Sequence, residues 1–69
     1  MKKYGIVTVG HGGFKIGTIL ELLEVQRLGK SWQCVVYRGK TCFDKGAKLY
    51  CTNERIRIVT KEDNPEEFL

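Results

Sequence analysis

Few residues in this chain have the types and spacing that chemistry requires. The densest set is Gly10-His11-Gly12-Gly13-Phe14-Lys15-Ile16-Gly17, with four glycines, one histidine and one lysine in eight residues. A phosphate-cradling loop would need that lysine followed by Ser or Thr at the start of a helix. Lys15 is followed by Ile16 instead, and in a Gly-x-Gly-x-x-Gly frame the third glycine position falls on Lys15. The stretch therefore reads as a glycine turn, because a tight turn between twisted strands needs residues that tolerate positive φ. His11, the only histidine, has no nucleophile motif to serve and reads as an exposed turn residue.

Cys34, Cys42 and Cys51 follow the pattern Cys-x7-Cys-x8-Cys, without the Cys-x-x-Cys pair that knits zinc sites. With His11 they make a formal set of four ligands, but buried free thiols are the simpler reading. No metal and no cofactor is expected. The apolar run after Met1-Lys2-Lys3 is too short for a signal peptide or a membrane span. A cytoplasmic protein with reduced thiols, away from the membrane, is the expectation.

The more credible constellation is aromatic and basic. Phe14, Trp32, Tyr37 and Tyr50 are interleaved with Lys15, Arg38, Lys40, Lys45, Lys48 and Arg57. Bases stack on aromatic faces while Lys and Arg neutralise phosphates, which suits single-stranded or loop RNA better than duplex DNA. Positions 1–59 hold eleven basic against four acidic residues, a formal +7, and the last ten residues bring the whole chain to +4. Such a body attracts polyanions over long range. The plainer reading of each residue is a solvated face, with Phe14 and Trp32 equally suited to a core.

The elements that must position these residues are short, rich in β-branched and aromatic types, and divided by glycine. The pattern predicts strands over Ile6–Val9, Thr18–Val25, Trp32–Tyr37, Ala47–Cys51 and Ile56–Val59, with a single helical turn at Thr52–Arg55. Ile19, Leu22 and Leu23 break the alternation of the second strand and imply a β-bulge. Gly29 is expected at positive φ in the turn after it. The inward set is Ile6, Ile19, Leu22, Cys34, Val36, Leu49, Ile56 and Ile58. Five short strands with so small an apolar set close best by rolling one sheet on itself. The expected fold is all-β, a five-stranded SH3-like barrel over residues 1–60, with an OB-like barrel as the alternative.

The tail, residues 61–69, is acidic, has one Pro and no period, and is expected to be flexible. Two other readings are open: that it folds back over the basic face and competes with a polyanion, or that Phe68-Leu69 docks on a partner.

Val7, Val9, Gly10, Gly13, Phe14, Lys15, Gly17, Ile19 and Glu21 together resemble the KOW motif of SH3-like domains in ribosomal proteins and transcription elongation factors. The resemblance implies binding to RNA or to proteins of the transcription and translation machinery, without catalysis. It also implies that Lys15 and the Gly10–Gly17 loop touch the partner. The chain departs from the motif in a short gap before Gly17 and in lacking an aspartate near the first strand.

The expectation for function is thus a non-enzymatic module binding nucleic acid or a ribonucleoprotein. Its candidate contacts are Phe14, Lys15, Tyr37, Arg38, Lys40, Lys48, Tyr50 and Arg57. The alternative is a small protein-interaction module, or a phage-type regulator, docking on a larger and acidic host protein.

Overall fold

A computed structural model describes residues 2–10, 13–26, 29–39, 43–44 and 46–69. Five antiparallel strands make one curled sheet: β1 Lys3–Val7, β2 Ile19–Gln26, β3 Ser31–Arg38, β4 Leu49–Thr52 and β5 Ile56–Val59. The spatial order is β4-β3-β2-β1-β5. A 3₁₀ turn at Asn53–Arg55 joins the two edge strands. The sheet curls into a half-barrel that fits a small SH3-like barrel, as expected.

Alternation along each strand sorts side chains onto two faces. The inner face holds Val7, Leu20, Leu22, Cys34, Val36, Cys51 and Ile56, with Phe14 from the glycine loop and Trp32 and Leu49 packed against them. The outer face holds a second cluster of Tyr4, Ile6, Ile19 and Val59, against which Tyr37 and Phe68 pack. β1, between β2 and β5, is covered on both sides, so four consecutive residues from Tyr4 to Val7 are buried. A strand buried on both faces reads as a continuous apolar run rather than an alternating one.

The bulged second strand is as predicted: the β2–β3 register shifts between Ile19 and Leu20 and again between Leu22 and Glu24. Gly29 has φ 71°. The first strand was expected at Ile6–Val9 but runs from Lys3 to Val7, and Val9 is half exposed. Gly5 leaves room for a neighbour: a Cβ there would lie 2.8 Å from Ile56 Cδ1. Gly39 is similar, since its φ is 128° and a Cβ would meet Thr18 Cα at 2.9 Å.

Ile58 was expected in the core but is 45% exposed. It pairs with Gly5 at the outermost strand, where nothing lies beyond it to cover the inner face. Val59, on the opposite face, is buried in its place.

The tail lies back on the outer cluster. Lys61–Asp63 form a turn and Pro65–Phe68 a 3₁₀ helix. The Asn64 N–H donates to the Thr60 carbonyl at 2.9 Å, and the Glu67 N–H to the Asn64 carbonyl at 3.1 Å. One aromatic residue of this polar segment, Phe68, packs against the outer apolar cluster.

Candidate functional site

Pairing across the sheet sets Arg38, Ile19, Ile6 and Arg57 in one row over four strands. Two arginines therefore flank two apolar side chains, with the Tyr4 and Tyr37 rings beside them at 5.1 Å between centroids. The tail lies on this patch. Phe68 meets Tyr4 edge-on at 4.9 Å and Tyr37 at 5.9 Å. Arg38 donates from Nη1 to the main-chain oxygen of Leu69 at 2.9 Å and from Nη2 to that of Glu67 at 2.6 Å. The Glu67 carboxylate faces Arg57 Nη2 at 3.6 Å.

Lys61 completes the patch, its Nζ 4.7 Å from the Tyr37 ring centre, 5.4 Å from Tyr4 and 5.6 Å from Phe68. The Tyr37 hydroxyl, accepting from the ammonium, holds Lys61 above its ordinary pKa. The attachment is thin nonetheless. A half-buried Phe ring contributes about 1 kcal/mol, half of the roughly 1.5–3 for full burial. Exposed arginine contacts add about 0.2–1 kcal/mol each.

The other aromatic–cationic site is open. A hollow of about 400 Å³ is lined by Lys2, Lys3, Glu21, Leu22, Leu23 and Trp32. Lys3 Nζ stands 5.9 Å above the Trp32 ring, and Lys2 pairs with Glu21 at 3.4 Å. Trp32 is held in place at its far edge: the indole N–H donates to Asn53 Oδ1 at 2.7 Å, and Asn53 Nδ2 donates to the Gly29 carbonyl at 2.7 Å. A fixed indole with one ring face under a lysine is suited to stacking a planar group beside an anion.

The eight residues singled out from the sequence thus divide. Tyr37, Arg38 and Arg57 are brought together on the outer face, under the tail. Lys48 and Tyr50 are exposed on and just before β4, with Tyr50 60% accessible and paired with Gln33. Lys15 is exposed in the glycine loop. Phe14, a candidate contact equally suited to a core, is 7% exposed, lies in the inner cluster and meets the Phe43 ring at 5.3 Å. Lys40 lies outside the described residues, as do His11, Cys42 and Lys45.

Sequence reasoning missed Lys2 and Lys3, which read as a charged chain start, and placed Trp32 no more in a site than in a core. The signal available was the lysine pair next to a strand whose partner strand leads to Trp32.

Cys34 and Cys51 are free thiols buried side by side on β3 and β4. Their mutual hydrogen bond and their burial push the Cys34 thiol well above its ordinary pKa. This is the setting of an inert packing thiol. Among the described residues no group of His, Cys, Asp and Glu is placed to hold a metal ion, and no helix is long and apolar enough to cross a membrane. No family model, curated protein or solved structure matches the chain.

Proposed function

We propose that this protein is a non-enzymatic binding module for nucleic acid, with single-stranded RNA preferred, and that the open hollow at Trp32 is its principal contact. The observation that carries this reading is Lys3 standing over an anchored indole, with Lys2 beside it, on a body of formal charge +7. The base stacks on the indole, and the lysines neutralise the adjoining phosphates. Lys15 and Lys48 are exposed and add attraction along the backbone, and the exposed Tyr50 offers a further stacking face. The KOW-like character of residues 7–21 belongs to the same proposal. It is supported by the strand–loop–strand arrangement in which the Gly17 N–H and the Val7 carbonyl close the loop at 2.9 Å.

Trp32 is the only tryptophan, so its fluorescence reports on the hollow directly. Titration with an oligouridylate at about 50 mM salt is expected to quench it saturably. With two lysine–phosphate contacts on a single strand, affinity falls about sevenfold between 50 and 200 mM salt. Undetectable binding to RNA and DNA oligomers at the lower salt refutes the proposal.

The second reading, a protein-interaction module in the cytoplasm, is favoured by Leu23 and Val25. These stand 43% and 46% exposed on the bulged strand beside the hollow. An acidic partner would then be steered by the same charge. That reading prevails if one dominant protein is captured after nuclease treatment and RNA does not bind.

A further inference from the structure

The outer face differs from the Trp32 hollow in what its contacts select. Arg38 uses two guanidinium donors on two main-chain oxygens, the Glu67 carbonyl and an oxygen of the last residue, Leu69. A main-chain carbonyl beside an aromatic side chain is a feature of a peptide and is absent from a nucleic acid. Between them the Phe68 ring enters an edge-on cluster with Tyr4 and Tyr37, which selects an aromatic side chain. The preceding carboxylate, Glu67, faces Arg57 across the row. Main chain, aromatic side chain and charge are thus each read by a different residue of the sheet.

We propose that this face is a receptor slot for a short peptide in which an acidic residue precedes an aromatic one, and that Glu67-Phe68-Leu69 is its resident cis occupant. The partner is a protein carrying such a segment. The occupant is exchangeable because its hold is shallow. No residue of its 3₁₀ helix is buried, Leu69 is 94% exposed, and the arginine contacts are at the surface. It is also tethered through the short turn at 60–64, which gives it an effective concentration on the order of millimolar. A competing segment therefore meets a closed slot in the resting chain and an open one wherever the tail is displaced. This goes beyond the nucleic-acid reading. Trp32 packs against the inner cluster and the slot lies over the outer one, so the two sites report separately.

The test uses the full chain and a fluorescein-labelled peptide, Asn-Pro-Glu-Glu-Phe-Leu, read by anisotropy. Phe68→Ala vacates the slot, and the variant is expected to bind the peptide saturably and at least about tenfold tighter than wild type does. Alanine in place of the peptide's phenylalanine, or Arg38→Ala added to the variant, weakens that binding severalfold. Equal binding to wild type and variant, no binding to either, or displacement of the peptide by an oligouridylate overturns the proposal. Should Phe68→Ala fail to fold, proton NMR of the wild-type chain at millimolar peptide decides. The Phe68 ring signals move to solvent-exposed positions if the slot exchanges and stay fixed if it does not. Oligouridylate quenching of Trp32 is expected to be the same in wild type and variant, so failure here leaves the nucleic-acid proposal separately measurable.

Discussion

The two faces of this sheet bury comparable kinds of side chain by different means. The inner face is closed by the sheet's own curl, which brings residues from all five strands together and leaves Leu20 and Cys34 without accessible surface. The outer face is closed by nine residues that are mostly polar, of which one, Phe68, reaches the cluster. A single-layer sheet has two faces, and curling covers only the concave one. The lesson is that an apolar cluster on the convex side needs a lid, and that the lid can be nearly all charge if one aromatic residue is correctly placed.

The largest expected effect that bears on this difference is at the inner face. Leu20→Ala removes a side chain with no exposure and should cost about 2–5 kcal/mol in denaturant unfolding. In so small a domain that leaves little or no folded population. Phe68→Ala, at the outer face, is expected to cost only about 1–2 kcal/mol and to leave the sheet intact by circular dichroism. If Phe68→Ala matches Leu20→Ala, the lid is part of the core and the distinction between the faces collapses. Glu67→Gln keeps the main-chain acceptor and removes only the partly exposed pair with Arg57. Its effect should stay within about 0.2–1 kcal/mol and shrink with added salt.

The smallest effect concerns Lys61, whose ammonium is stabilised by Tyr37 and whose pKa is raised above 10.5. A raised pKa on a cation means that its contribution is complete below pH 10.5 and fades as pH rises through the higher folded value. The Phe68 ring signals should therefore hold steady from neutral pH to about pH 9 and shift only in strong alkali. Movement of those signals near neutral pH contradicts the placement of Lys61 over the rings.

Much of the inner face was legible in the sequence. The alternation of Cys34 and Val36 with Gln33, Val35 and Tyr37, and the break at Leu22-Leu23, follow from the two-residue period of a half-buried strand. The outer face was less legible, because two of its members, Tyr4 and Ile6, come from the strand that breaks the period. Tyr4 and Gly5 precede the run that looked like β1, and a strand covered on both sides has no alternation to find. Phe14 was open to two readings for a related reason: an aromatic beside a lysine in a glycine loop has the same local pattern whether it anchors the loop or meets a partner. The arginine row was half legible. Tyr37, Arg38 and Arg57 could be placed outward by parity, but only the register of four strands brings Arg38 and Arg57 into one line.

The claim that the two faces are closed differently is tested most directly by native-state hydrogen exchange. The account predicts that the Asn64 and Glu67 amides, which bond to Thr60 and Asn64, exchange through a local opening orders of magnitude faster than the β2 and β3 amides. The latter should exchange only through global unfolding. Equal protection of the tail amides and the central strands would contradict it and make the tail an integral part of the folded core.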